Sequence, residues 1–272
     1  MKPELEFSLD TAEVPAGYEH FRRKLKARTG IDLASYKSQQ MLRRLRSYLR
    51  RVGAADFLAL AAMIERDDEA LESLKNFLTI NVTEFFRNPE RFADLETRVL
   101  PELIARFGTL TIWSAGCSTG AEPYSVSILL EEIDPAGSHR ILATDIDAQA
   151  LAAAVAGVYP EDKLREVSRR RRRFFRPVGE GVWRIDPVIQ KRVSFRQHDL
   201  LADPYPQGVH LILCRNVVIY FTDEAKERVF RGFGRSLVPG GYLMVGSTES
   251  IFNAADYGLR SAGAFLYQKA PG

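Results

Sequence analysis

The chain has 272 residues, a net charge of +3, and 46% hydrophobic against 27% charged residues. That is room for one large or two small domains of ordinary soluble composition, with too little net charge to argue for a nucleic-acid partner. Only two cysteines occur, Cys117 and Cys214, which excludes a disulfide scaffold. Together with an opening stretch that has no apolar signal core, this favours the cytoplasm, and no apolar run approaches the ~18 residues that a membrane span needs.

Residues 1–15 read as a loose tail. From Tyr18 to about Thr79 the pattern is helical, punctuated by Thr29-Gly30 and Val52-Gly53. Leu42, Leu45 and Leu49 share one helical face, and Arg43, Arg46 and Arg50 share another. Between Gly17 and Arg51 there are eleven Lys/Arg against two acids, Glu19 and Asp32. This is either a solvated face or a docking surface for an acidic partner. The segment Asn81 to Arg87 connects the helical domain to the rest of the chain, with Phe85 and Phe86 expected to fill the interface between the two. A helix is expected from Pro89 to about Arg106.

From about residue 108 the rhythm becomes strand–helix–strand–helix. Leu110 to Trp113 reads as a short buried strand, and Ser114 to Gly120 as a tight turn of small residues. A helix follows from Ala121, with strands at Arg140–Ala143, Val193–Arg196, Val209–Cys214 and Tyr242–Val245. That is a doubly wound α/β domain with a parallel sheet, ending in antiparallel strands. Residues 158–193 interrupt the rhythm. They hold five consecutive arginines, Arg169 to Arg173, and the turn Gly179-Glu180-Gly181 between β-prone runs, which suggests a small antiparallel insert. The arginines are either solvated or in contact with an acidic partner.

The turn after the first strand admits two readings. Gly116-Cys117-Ser118-Thr119-Gly120 fits the G-x-S-x-G nucleophile elbow, and equally a cofactor loop at a helix N-terminus. An elbow needs an acid and a histidine further on; His198 is at a strand end, but the loop follows the first strand rather than a later one. The cofactor reading predicts an acid at the next strand end to hold ribose hydroxyls, and Asp145 is there. Asp199 and Asn216 follow at the next two strand ends, and such ends converge on one crevice. The loop lacks G-x-G-x-x-G spacing and a Walker lysine, which leaves S-adenosylmethionine as the nucleoside cofactor. Asp203-Pro204-Tyr205-Pro206 is similar to the box of adenine methyltransferases, but it precedes the fourth strand and reads as a turn. No metal site is expected.

Five motifs in order, Asn81–Arg87, Gly116–Ser125, Ala143–Asp147, Cys214–Phe221 and Gly246–Glu249, resemble the chemotaxis receptor glutamate O-methyltransferases, the CheR family. The resemblance runs from about Tyr18 to Lys269. It implies an all-α N-terminal domain, taken as residues 1–88. A Rossmann-like class I methyltransferase domain comes next, taken as residues 89–272, with the small β insert at about 158–193. It implies methyl transfer from S-adenosylmethionine, giving S-adenosylhomocysteine, to glutamates of the cytoplasmic helical region of chemoreceptors. The N-terminal helices and the insert would contact the receptor, with no nucleic acid, no membrane insertion and a monomeric chain. Carried over, the cofactor contacts would be Asn81, Thr83, Arg87, Glu122, Asp145, Asp199, Leu200, Arg215 and Asn216. Arg87 and Tyr220 would flank the transfer, and Gly116 and Gly120 would let the backbone approach the methionine part. A noncatalytic cofactor-sensing or receptor-binding module of the same fold is the alternative. Two departures stand out: Ala121 replaces the first of two acids often found after the loop glycine, and the insert turn is short, which puts grip on a receptor tail in doubt.

Overall fold

A computed structural model describes residues 14–79, 81 and 83–270 of the chain. The expected tail lies mostly outside the described residues. The chain divides into two compact units, residues 1–78 and 79–272.

The first unit is built of four helices: α1 (Tyr18–Thr29), α2 (Ser38–Val52), α3 (Phe57–Arg66) and α4 (Asp68–Leu78). Gly30 and Gly53 end α1 and α2 with φ of 78° and 69°, a backbone that costs glycine least. The Asp56 side chain accepts from the Ala59 N–H and starts α3. The buried stripe of α2 is Met41, Leu45 and Tyr48; Leu42 and Leu49 lie at its edges rather than at its centre. Phe21, Leu25, Leu60, Ile64 and Leu74 fill the rest of this core.

The second unit opens with α5 (Pro89–Asp94), continued through a π turn (Leu95–Val99) into α6 (Leu100–Phe107). The expected helix is present, and the π turn sits where Pro101, which has no N–H to donate, enters the next turn. Then come β1 (Thr111–Ala115), α7 (Ala121–Ile133), β2 (Arg140–Asp145) and α8 (Ala148–Ala156). The insert follows: β3 (Val158–Pro160), β4 (Phe175–Gly179) and β5 (Val182–Ile185). After α9 (Pro187–Gln190) come β6 (Val193–Gln197), β7 (Val209–Cys214), α10 (Asp223–Ser236), β8 (Leu237–Val245), β9 (Leu259–Gly263) and β10 (Leu266–Lys269).

The main sheet has seven strands in the order β6-β2-β1-β7-β8-β10-β9. The five strands from β6 to β8 are parallel, and β10 runs antiparallel to both β8 and β9. The order grows outward from β1 in one direction and then, at β7, in the other. That reversal opens a crevice beyond the carboxyl ends of β1 and β7, where open α/β sheets bind ligands. The fold is thus a Rossmann-like α/β domain with a separate antiparallel sheet, ordered β3-β5-β4, in the expected insert. Strands β4 and β5 are joined by a two-residue turn, Glu180-Gly181.

Phe85 and Phe86 differ from expectation. Both are buried in the core of the second unit. Phe85 meets Tyr159 and Phe175 edge-on at 4.8 Å, and Phe86 meets Phe92 at 5.2 Å. An aromatic pair in a linker-like segment looks like interface filler in sequence, whereas here it nails the segment to the insert and to α5. No described helix is long and apolar enough to cross a membrane.

Candidate active site

The loop between β1 and α7 turns on two glycines and one serine. Gly116 has φ of 84°, and a Cβ there would drive into the Cγ2 of Val217. Gly120 has φ of 86°, and a Cβ would stand 2.9 Å from that of Ala154. Both positions therefore need glycine for backbone and for space. Ser118 between them has φ of 49°. The loop is held from β2: the Gly116 and Cys117 N–H groups both donate to the Thr144 carbonyl, at 2.8 and 2.9 Å. Tyr159 of the insert donates its hydroxyl to the Thr119 carbonyl at 2.7 Å. Among the described residues, four of the six non-glycine residues with positive φ (Phe86, Asn88, Ser118 and Asn216) lie in loops of this crevice. Such backbone persists where surrounding contacts impose it, and it clusters at functional sites.

At the end of β2, Asp145 accepts from the Ser118 N–H at 2.7 Å and from the Asp147 N–H at 3.0 Å. Burial raises its pKa, against the pull of those two donors. Asp147 caps α8 through the Gln149 and Ala150 N–H groups and also accepts from Thr79 Oγ1 and Asn81 Nδ2, both at 2.7 Å. Burial opposes ionisation there, but these donors outweigh it and the pKa is lowered. Ser118 donates its hydroxyl to Asn81 Oδ1 at 2.8 Å. Ser118 is thus a strut between the loop and the Asn81 segment, with its hydroxyl on an amide rather than on a histidine, and the elbow reading falls. Thr83 is half-buried in the same segment. Asp147 carries no role of its own in the sequence motif; its signal was the Asp-x-Asp pair at a strand end ahead of a helix.

At the end of β6, the His198 N–H donates to the Asp145 carbonyl at 3.0 Å, so this strand end is tied to the preceding one. Asp199 accepts from the Leu201 N–H at 2.7 Å, and burial raises its pKa. The Asp203-Pro204-Tyr205-Pro206 turn has a structural job: Asp203 accepts from the Asp199 N–H, and Tyr205 donates to the Leu200 carbonyl, at 2.8 and 2.7 Å.

At the end of β7, Arg215 is buried. Its guanidinium donates to the Arg87 carbonyl and to Asn88 Oδ1, both at 2.8 Å, lies 3.5 Å from Glu122 Oε2, and sits over the Phe92 ring. Glu122, in the first turn of α7, also accepts from the Ser114 hydroxyl at 2.7 Å. Burial raises the Glu122 pKa, with Arg215 and Ser114 opposing. The Phe86 N–H donates to Ser125 Oγ at 2.9 Å, which seats the strained Phe86–Asn88 turn on α7. Asn216 has φ of 60°, and Tyr220, half-buried, ends the short 3-10 turn Val218–Tyr220. Glu249 closes the last of the five motifs, and the sequence assigns it no role. It is 4% exposed and accepts from the N–H groups of Asn216, Val217, Ile219 and Gly246. Cys117 and Cys214 are both free and buried, and burial holds their thiols far above the ordinary range, so they stay protonated.

Through these bonds the structure links Asn81, Gly116, Asp145, Glu122, Arg215, Asn216 and the backbone of Arg87 and Asp199 around one crevice. A glycine loop ahead of a helix N-terminus, with half-buried carboxylates at two successive strand ends, fits a nucleoside bearing a charged amino-acid portion. Two family models match the chain: "CheR methyltransferase, all-alpha domain" over residues 16–79 and "CheR methyltransferase, SAM binding domain", where SAM is S-adenosylmethionine, over residues 81–262. A chemotaxis protein methyltransferase of Listeria monocytogenes is 40% identical over 253 residues, covering 93% of this chain and 97% of that protein. One from Klebsiella aerogenes is 37% identical, covering 87% and 85%, and chemotaxis protein methyltransferase 1 of Pseudomonas aeruginosa is 36% identical, covering 89% and 93%. With the sheet order, the glycine loop and the strand-end carboxylates in place, these matches establish that the chain belongs to the CheR family of S-adenosylmethionine-dependent methyltransferases.

Proposed function

We propose that this methyltransferase esterifies glutamate side chains on the cytoplasmic helical region of chemoreceptors. One observation carries the reading. The segment from Asn81 to Asn88 is bonded to both sides of the crevice, through Asn81 to Ser118 and Asp147, and through the Arg87 carbonyl and Asn88 to Arg215. That brings Arg87 to the point where the strand order reverses, beside a site with no histidine acid–base pair among the described residues.

S-adenosylmethionine, when bound, supplies an electrophilic methyl group on a sulfonium. Asp145, Asp199 and Leu200 would hold its nucleoside and Glu122 its methionine portion, which Gly116 and Gly120 would let the backbone approach; Asn81 and Thr83 would be further contacts. Arg215 and Asn216 shape the wall of the site: Arg215 sets Glu122 and the Arg87–Asn88 turn at once. A glutamate carboxylate, with an ordinary pKa of ~4.3, is already ionised near neutrality and asks for no general base. The protein's task is therefore alignment of the acceptor oxygen and exclusion of water. Arg87 orients a carboxylate by a forked contact, and Tyr220 positions the acceptor from the opposite loop. The exposed basic face of α2 receives acidic groups of the receptor helix, whereas Arg170, Arg171 and Arg172 of the insert are already paired within the protein.

Calorimetry with S-adenosylmethionine followed by transfer of a radiolabelled methyl group to receptor-bearing membranes tests the reading. Base-labile label on glutamate is expected, and Arg87→Ala should bind the cofactor yet lose most turnover. Binding without transfer would instead favour the noncatalytic module.

A further inference from the structure

We propose that Glu249 is a positioning residue for methyl transfer, clamping the Asn216–Ile219 turn so that Tyr220 is presented to the site; the second half of this rests on the role given to Tyr220 above. The observation is a count of donors. Glu249 Oε2 accepts from the Asn216 N–H at 2.8 Å and from the Gly246 N–H at 2.6 Å. Its Oε1 accepts from the Val217 N–H at 2.9 Å and from the Ile219 N–H at 3.3 Å. One carboxylate thus takes four backbone donors from two strand ends, those of β7 and β8. Only an ionised carboxylate offers that many lone pairs with no donor of its own.

The turn has two backbone bonds of its own, from the Tyr220 N–H to the Val217 carbonyl at 3.3 Å and from the Phe221 N–H to the Val218 carbonyl at 3.1 Å, and neither uses the Asn216, Val217 or Ile219 N–H. Asn216 has φ of 60°, in the left-handed region. The Asn216, Val217 and Ile219 N–H groups all point at the buried Glu249 carboxylate. Without Glu249 these donors would lose their acceptor, and the left-handed backbone at Asn216 would lose a contact that imposes it. The turn carries Val217 at one end and Tyr220 at the other. The Val217 methyl that a Cβ at Gly116 would strike belongs to this turn, so the same clamp sets the wall facing the cofactor loop. The Gly246 position is equally tight: a Cβ there would stand 2.6 Å from Glu249 Oε2 and 2.8 Å from the Asn216 nitrogen. Gly246 therefore leaves room for the carboxylate, and the Gly246–Glu249 motif reads as a seat and its clamp.

Two substitutions break the clamp by different means. Glu249→Gln keeps one acceptor oxygen and turns an NH2 group against two of the four donors. Gly246→Ala leaves the carboxylate intact and displaces it. The experiment measures three things on the full chain: amide hydrogen exchange at Asn216, Val217, Ile219 and Gly246; S-adenosylmethionine affinity; and kcat and KM for receptor methylation. In both variants exchange at those amides should speed by tenfold or more with circular dichroism unchanged, and kcat should fall at least tenfold, by more than cofactor affinity falls. Combined with Tyr220→Phe, Glu249→Gln should cost much less than the product of the two single losses, because both act through one group. The exchange measurement needs no receptor, so it stands apart from the proposed substrate. Unchanged exchange in Glu249→Gln overturns the clamp. Fast exchange with unchanged kcat, or losses that simply multiply with those of Tyr220→Phe, overturns the positioning role. A parent chain that binds cofactor but methylates no receptor overturns the substrate reading and with it the positioning half, leaving the clamp to stand or fall on exchange alone.

Discussion

Two arginine-rich regions of this chain look alike on paper and differ in space. In α2, Arg43, Arg46 and Arg50 are exposed. The ion pairs of the helical unit are made elsewhere among the described residues, by Arg22 with Glu19, Lys24 with Glu65, Lys26 with Asp32, Arg28 with Asp68 and Lys75 with Glu72. Much of the positive charge of α1 is thereby neutralised, and it does not reinforce α2 as the bare count of basic residues suggested. Arg44 is turned inward, its Nε donating to the Phe77 carbonyl at 2.9 Å.

The run Arg169–Arg173 is spent differently. Arg171 lies between Glu96 at 2.7 Å and Glu132 at 2.8 Å and covers the Phe86 ring. Arg170 reaches Glu132 at 3.1 Å and Arg172 reaches Glu161 at 2.6 Å. The acidic partner of the run is largely the protein itself: the arginines rivet the insert to α7, to the α5–α6 helix and to each other's neighbours. Charge density therefore marks a docking surface only where the carboxylates within reach have not already been used.

Four experiments press on this contrast. The largest effect is expected from reversing the charge of the α2 face, Arg43→Glu with Arg46→Glu and Arg50→Glu. Receptor methylation should fall about 10- to 100-fold in kcat/KM, with cofactor affinity and melting temperature nearly unchanged. A loss matched by weaker cofactor binding would erase the distinction between the two regions. Next, Arg171→Ala should lower the stability of the second unit by about 1–3 kcal/mol, read by urea denaturation, because it strips a charge-assisted partner from the nearly buried Glu132. The same experiment on Arg46→Ala should move stability by less than about 0.5 kcal/mol.

Salt gives a smaller separation. Raising ionic strength from about 0.1 M to about 1 M shortens the screening length from about 10 Å to about 3 Å. The KM for receptor should rise several-fold, while the melting temperature moves little, since the Arg171–Glu132 pair is mostly shielded from solvent. The smallest effect is on acid stability. Asp186 of the insert has a lowered pKa, held down first by the Val188 N–H and then by Arg176. A carboxylate whose folded pKa lies below its unfolded value stabilises above the unfolded value of ~3.9 and loses that contribution as pH falls through the folded one. Asp186→Asn should thus lower stability at pH 7 and make no difference near pH 2.

The legible parts of the fold were those set by local pattern. Alternation found β1, helical spacing found α7, and the Gly-x-Gly turn found the insert. The Pro89 helix was legible in extent, though not its π turn, because proline's effect there depends on which carbonyl it crowds. Strand-end acids were legible as a series, and the glycine loop as one of two readings. Glu249 was not legible. Little that is local distinguishes a glutamate that accepts four backbone N–H groups from one on the surface, and three of its four donors lie some thirty residues upstream. The destination of Phe85 and Phe86 was also hidden, since the ring partners of Phe85, Tyr159 and Phe175, and the Arg171 guanidinium over the Phe86 ring are far away in the chain.

What the sequence determined alone was therefore the order of elements, the motifs and the family they resemble, because periodicity and spacing survive without a third dimension. Which arginines are free, which serine is a strut, and which glutamate clamps the Tyr220 loop were decided only when the strand order brought the carboxyl ends of β2, β1 and β7 together. Hydrogen bonds and ion pairs act over about 3 Å, and only the fold makes residues a hundred positions apart into neighbours at that distance.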